Sequence, residues 1–439
     1  MPEDASRAQR ASDGNDVTAR PPAERLGAGT SEAPAGPVTA SPRAPVEGGE
    51  RPAPPRRPGG ARRSGRGRRR RVLVVSLGVV VVLGVTGLLG VGWYYTQELL
   101  TPVRYAETYP EVVRGADEDS VLLADSPAAR SPGTTGLFWS EGTALLGDPA
   151  PADDGLVARE LLAGTPPAAG TPARLDREGW RDPGELGLEY REVAVPTELG
   201  EAPAWLVPAE DAADTWAVLV HGRGADRTEG LRMLPALQEL GVPGLLISYR
   251  NDEIAPASED GLYHLGHSEW RDVVAAVEFA LDEGAERIVL VGFSMGGALV
   301  GQTLKNSELA ERVDAVVLDS PVLNWSSTLD LEADNRGMPK VFGRVAELVA
   351  GWRTGLSFAD LDLLTNPPDR RPATLLLHGD EDLTVPVADS RALAARAAAL
   401  DWPLEYHEFP GAEHVASWNQ DRDRYEEVVR EFLTRATAR

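Results

Sequence analysis

Apolar positions along this chain fall into three regimes. Up to Arg71 there are almost no large apolar side chains; Val72 to Tyr95 is then an uninterrupted run of 24 residues without a charge. As a helix rising ~1.5 Å per residue, that run is about 36 Å long, enough to cross a ~30 Å hydrocarbon layer with some tilt. It closes on Trp93, Tyr94 and Tyr95, the aromatic belt expected where a span meets water. The pattern predicts a transmembrane signal-anchor helix over 72–95. From 96 to 185 the apolar runs are short (136–139, 143–146, 156–162) and separated by Gly, Pro and Asp. They read as short strands of a stalk or of a small β attachment.

After about residue 186 the pattern becomes strand, helix, strand, helix. Continuous apolar runs of strand length occur at 216–220, 244–248, 288–293, 315–318 and 374–377, and 404–409 reads as the last strand. Unbroken runs, as opposed to alternating ones, are what parallel strands buried on both faces require. Helical stretches separate them at 229–240, 268–282, 296–307, 390–399 and 422–435. That alternation predicts an α/β domain with a mostly parallel sheet and helices on both faces. In such sheets chemistry gathers at the carboxyl ends of the strands.

Charge divides the chain the same way. Residues 1–71 carry 15 Arg against 8 acidic residues, a net of +7, with seven arginines in 62–71. A Pro-, Gly- and Ala-rich tail of this kind cannot bury enough surface to fold, and a disordered tail is expected. The arginines directly precede the apolar run, which by the positive-inside rule leaves the tail cytoplasmic and everything after Tyr95 outside. A cleaved signal peptide would have a shorter apolar core and a small-residue cleavage site after it, and neither is present. The remainder carries 29 basic and 60 acidic residues, a net of −31. Such a surface repels phosphates, which excludes nucleic acid as a partner. Cysteine is absent, so a disulfide scaffold, a thiolate metal site and a cysteine nucleophile are all excluded.

The chemistry lies in the residues just after the buried runs. Gly292-Phe293-Ser294-Met295-Gly296 comes at the end of one of them and opens a helix. This is the G-x-S-x-G arrangement, in which glycines let the chain turn sharply and hold the serine exposed. A serine needs a base, and the base needs an orienting acid. Asp382, in His378-Gly379-Asp380-Glu381-Asp382, comes after the run 374–377, and His414 after 404–409; they are read as acid and base. Asp319, Asp380 and Glu381 are the rival acids. An oxyanion hole needs two backbone N–H groups. Met295 is assigned one, and Arg223 in His221-Gly222-Arg223-Gly224 the other, its side chain either solvated or facing substrate. His378 and His407 read as structural, and His264 with His267 lacks a third metal ligand.

Residues 186–439 resemble the α/β-hydrolase superfamily. Within it they are most similar to membrane-anchored bacterial serine hydrolases of the BEM46-like and serine-aminopeptidase-like groups. The likeness rests on the H-G-x-G loop at His221, the elbow at Ser294, the H-G-x-x-D-x-x-V-P stretch from His378 to Pro386 and the late His414. Tyr249-Arg250-Asn251-Asp252 and Glu269-Trp270 look like family features bordering the site, with Trp270 a packing residue. The resemblance implies an eight-stranded sheet and hydrolysis through an acyl-serine without cofactor or metal. It also implies a cap in residues 321–371, here short and helical. The expected organisation is therefore a tail (1–71), a span (72–95), a stalk or β attachment (96–185) and a catalytic domain (186–439). The expected activity is extracytoplasmic cleavage of an ester, thioester or amide in a small-molecule or peptide substrate, with membrane lipid contacted through the span and the basic run. Acyl transfer by the same triad, or a non-catalytic binding domain on the same fold, are the alternatives.

Overall fold

The computed structural model describes residues 65–104, 107–209 and 214–438; the tail expected over 1–71 lies outside the described residues up to Ser64. Helix α1 (Gly65–Leu100) is long and apolar enough to cross a membrane. It begins within the arginine run and continues past Tyr95. From residue 67 its side chains are exposed all round until its last turns, where Gly92, Thr96 and Leu100 become buried. That spacing of four residues puts the three on one face, and this face packs on the catalytic domain. The chain therefore docks directly after the apolar run, with no free stalk there.

The next segment forms a closed six-stranded barrel in the order β1-β2-β5-β4-β3-β6. Its strands are β1 (Glu111–Ala116), β2 (Ser120–Ala124), β3 (Thr135–Trp139), β4 (Gly142–Pro151), β5 (Leu156–Gly164) and β6 (Pro172–Asp176). Val113, Val121, Leu123, Leu137, Leu146 and Val157 fill its interior. Arg159 is fully buried in it, yet satisfied: its guanidinium donates to the carbonyls of Gly147, Ala129, Ser131 and Gly133.

The second sheet has eight strands: β7 (Arg191–Thr197), β8 (Gly200–Val207), β9 (Thr215–Val220), β10 (Gly244–Ile247), β11 (Arg287–Phe293), β12 (Val313–Asp319), β13 (Ala373–Gly379) and β14 (Leu404–Phe409). Their order is β14-β13-β12-β11-β9-β10-β8-β7; β8 pairs antiparallel with both its neighbours and every other pairing is parallel. The β7–β8 hairpin was not among the expected strands. Pro196 and Pro203 interrupt its apolar pattern, and Pro196 is tolerated because β7 is an edge.

Two layers of helices cover this sheet. Alternate residues of the central strands (Val218, Leu290, Val316, Leu376) face one core; their neighbours (Leu219, Val291, Val317, Leu375) face the other. The helices are α2 (Leu234–Glu239), α3 (Trp270–Asp282), α4 (Met295–Asn306), α5 (Trp325–Asn335), α6 (Val341–Thr354), α7 (Val387–Arg396), α8 (Ser417–Gln420) and α9 (Arg422–Thr437). The helix expected over 229–240 is split, with 3-10 turns over Arg227–Met233 before α2. Pro235 is the cause, since it has no N–H to continue an α ladder. The cap is the pair α5 and α6, packed on each other and inserted between β12 and β13.

Candidate active site

The nucleophile candidate stands at a one-residue turn between strand and helix. β11 ends at Phe293 and α4 starts at Met295, so Ser294 alone makes the corner, at φ 50° and ψ −117°. A non-glycine residue there stores on the order of 1–3 kcal/mol of strain. Its neighbours hold it in place. The Ser294 amide donates to the Asp319 carbonyl at 2.9 Å, and its carbonyl accepts from the Val322 amide at 3.0 Å. The turn also demands glycine: a Cβ on Gly296 would lie 2.1 Å from the Val220 carbonyl oxygen.

Ser294, His414 and Asp382 form one hydrogen-bonded chain. Ser294 Oγ lies 2.8 Å from His414 Nε2, and His414 Nδ1 lies 2.7 Å from Asp382 Oδ2. Because a carboxylate only accepts, Nδ1 carries the proton and Nε2 is free to receive one from the serine. Asp382 is saturated. Its Oδ1 accepts the amides of Thr384 and Val385, each at 2.8 Å, and its Oδ2 accepts His378 Nε2 at 3.1 Å as well as His414. Burial works to raise this carboxyl, but the two histidines and the backbone donors outweigh it, holding it well below the usual carboxylate range.

His378 thus has more to do than fill a strand end. Buried, and bonded to Ser390 Oγ at 2.7 Å, it holds the same Asp382 oxygen that His414 uses. Of the rival acids, Asp319 does not reach His414. It accepts from Tyr425 Oη at 3.0 Å and from Ser320 Oγ at 3.2 Å. Ser320 Oγ in turn accepts the Val415 amide at 3.2 Å. Asp380 accepts the Gly411 amide at 2.6 Å. The His414 loop, with Val415 at φ 51°, is held from behind as well. Arg232 donates to the Val415 carbonyl at 2.9 Å and Arg177, just beyond the barrel, to the His414 carbonyl at 2.6 Å.

The His221 loop crosses in front of β11. Gly222 comes so near that a Cβ there would lie 2.9 Å from Ser294 Cβ. Its amide is already used, donating to Glu229 Oε2 at 2.7 Å. Met295 is the first residue of α4, at a helix end whose leading amides lack carbonyls within the helix. The Arg223 side chain caps α1, donating to the carbonyls of Leu99 (2.9 Å) and Glu98, and the residue also lines the cavity over Ser294. His221 explains the Arg250-Asn251-Asp252 loop. Both its ring nitrogens face acceptors, Gly222 O at 2.8 Å and Asp252 Oδ2 at 2.9 Å, and it stacks on Tyr249. Burial opposes its charge, but Asp252 prevails and raises it to about 9. Arg250 pairs with buried Asp272 at 2.7 Å.

A cavity of about 380 Å³ opens over Ser294 and His414, within the ~300–1,000 Å³ usual for small-molecule sites. Its walls are mostly apolar, including Val322, Trp325, Leu329 and Phe342 from the cap side, and Leu99 from α1. The other singled-out residues serve locally. Glu269 accepts the amides of His264 and Gly266, Trp270 Nε1 donates to the His267 carbonyl, and the rings of His264 and His407 pair with Asp260 and Glu405. Among the described residues no group of three His or acidic side chains is gathered as metal ligands.

Residues 258–438 match the prolyl oligopeptidase family, and residues 112–176 match a family described as a domain of unknown function, DUF8805. The chain is similar to the alpha/beta hydrolase domain-containing protein WAV2 of Arabidopsis thaliana, 24% identical over 267 residues, covering 57% of this chain and 80% of that protein. It is also similar to the solved esterase Pf2001 of Pyrococcus furiosus, at 21% identity over 59% of this chain and 98% of that one, TM-score 0.48. A thermophilic esterase from Thermogutta terrifontis gives 18% identity, 56% and 100% coverage and a TM-score of 0.42. The sheet order, the strand–serine–helix corner and the family match define a serine hydrolase. The chain has the α/β-hydrolase fold.

Proposed function

We propose that this chain is a membrane-anchored, extracytoplasmic hydrolase that cleaves a carboxylic ester, thioester or amide through an acyl-serine at Ser294. The observation that carries the reading is the chain Ser294–His414–Asp382 opening onto an apolar cavity. Ser294 Oγ bonds to the substrate carbonyl carbon while His414 Nε2 takes the hydroxyl proton. The oxyanion is stabilised by the Met295 and Arg223 amides. His414 returns the proton to the leaving alcohol, thiol or amine as its bond to carbon breaks. Water then repeats the sequence on the acyl-serine, releasing the acid and restoring the hydroxyl. Asp382, with His378 behind it, keeps the imidazole in the tautomer these steps need and offsets its transient charge.

Seven arginines ahead of an uncharged 24-residue run support the tail-inside orientation. Protease added to intact spheroplasts is expected to degrade the catalytic domain, and a domain protected until lysis would reverse the topology. A panel of acyl esters and aminoacyl amides, read against Ser294→Ala, tests the chemistry; turnover that survives the substitution would reject the acyl-serine.

A further inference from the structure

The outer end of α1 is built into the cap. A Cβ on Gly92 would lie 2.6 Å from Val345 Cγ1, so α1 and α6 touch with no slack. The ring of Trp93 lies 6.3 Å from that of Trp352, with the Arg353 guanidinium 4.4 Å above Trp93. Tyr95 Oη donates to Met338 Sδ at 2.9 Å, and Glu98 pairs with Arg336 at 3.0 Å. The depth of α6 is therefore not independent of α1: whatever holds Trp93 at a membrane surface holds Trp352 at the same level.

Helix α6 has two apolar faces. Phe342, Gly343 and Ala346 line the cavity that contains Ser294 and His414. Val341, Leu348 and Trp352, spaced seven and four residues apart, form the outer stripe, with Val345 beside them against Gly92 of α1. Leu348 is 74% and Trp352 77% exposed, although both belong to a domain whose other apolar side chains are largely buried. Single exposed apolar residues need no explanation, but a stripe continuous with the lipid-facing surface of a spanning helix does.

We propose that the cavity is loaded from the bilayer: the outer stripe of α6 sits in the leaflet that surrounds the end of α1, and the substrate is an acyl ester whose chain lies in that leaflet. The inference rests on the anchored-hydrolase reading and adds the substrate class. From the leaflet to Ser294 the acyl chain has only to pass α6, about 10 Å across, into walls that are themselves apolar.

The test uses the full chain reconstituted in vesicles of phosphatidylcholine and phosphatidylglycerol. Methylumbelliferyl oleate is dissolved in the same bilayer, and methylumbelliferyl acetate is supplied from water. The double variant Leu348→Gln/Trp352→Gln is expected to lower the ratio of kcat/KM on oleate to that on acetate about tenfold or more. The apolar pair Leu348→Phe/Trp352→Leu is expected to keep the wild-type ratio. Labelling of Ser294 by a fluorophosphonate reports that each variant is folded. An unchanged ratio in the labelled Gln variant would overturn the proposal, as would a ratio that falls equally in both variants. Self-association lost in the Gln variant with the ratio unmoved would assign the stripe to a second copy, and overturn it too. Wild type that cleaves acetate but not oleate removes bilayer loading and leaves the hydrolase; wild type that cleaves neither removes both.

Discussion

Replacing Asp382 by Asn tests the geometry of the site atom by atom. All four groups around the carboxylate are donors: two backbone amides on Oδ1, and two imidazole N–H groups on Oδ2. An asparagine brings an NH₂ group that must face one of these pairs, whichever way it flips. Facing the amides, it opposes two fixed N–H groups; facing the histidines, it drives the His414 proton to Nε2, where it points at Ser294 and the imidazole is no longer a base. Either arrangement gives up two hydrogen bonds to a charged acceptor, each worth ~1.5–3 kcal/mol. With the imidazolium countercharge also lost, turnover is expected to fall ~10³–10⁴-fold, about 4–5.5 kcal/mol in the barrier. The assay is ester hydrolysis by purified Asp382→Asn and Asp319→Asn, matched for circular dichroism and melting. The Asp319 carboxylate bonds Ser320 and Tyr425 and not His414, and its backbone carbonyl, which takes the Ser294 amide, is kept in the variant, so Asp319→Asn should lose stability before chemistry. Near wild-type turnover in Asp382→Asn, with none in folded Asp319→Asn, would refute the assignment of the acid.

The remaining predictions concern the scaffold of the same site. His221, raised to about 9 when folded against about 6.5 unfolded, contributes stability that is complete below pH ~6.5, declines as pH rises and is gone above about 9. Melting temperature followed from about pH 6 to 10 should show wild type losing about 3 kcal/mol of advantage over Asp252→Asn; parallel curves would contradict the charged pair. Gly296→Ala forces a Cβ against the Val220 carbonyl, for an expected cost of about 3 kcal/mol and a melting point lower by roughly 6–10 °C; an unchanged melting point would show that the elbow yields freely.

The parts of this site legible in the sequence were those in which one local motif fixes both conformation and chemistry. Ser294 could be read because glycines two residues to either side demand a sharp turn after a buried strand. Asp382 and His414 could be read because each comes just after such a strand. Contacts made across long separations left no trace. His378 reads as an ordinary strand-end histidine until the loop after β13 folds back and brings Asp382 under its ring. The contacts of Arg223 with the carbonyls of Glu98 and Leu99 could not be read, because those partners lie more than 120 residues earlier. The end of α1 was hidden by Gln97 and Glu98, whose polarity resembles a helix leaving the membrane. The buried face is made instead by Gly92, Thr96 and Leu100, only one of them a large apolar residue. In the barrel, register shifts between β4 and β5 break the two-residue alternation by which strands are recognised.

The central claim, that Ser294 is a nucleophile activated by His414, is tested most directly by covalent capture. The full chain is treated with a fluorophosphonate, digested, and the modified peptide identified by mass spectrometry. The adduct should map to Ser294 alone, vanish in Ser294→Ala, and form at least about a hundredfold more slowly in His414→Ala, since the hydroxyl then has no base. A stable adduct on any other serine, or labelling that persists in Ser294→Ala, would contradict the account.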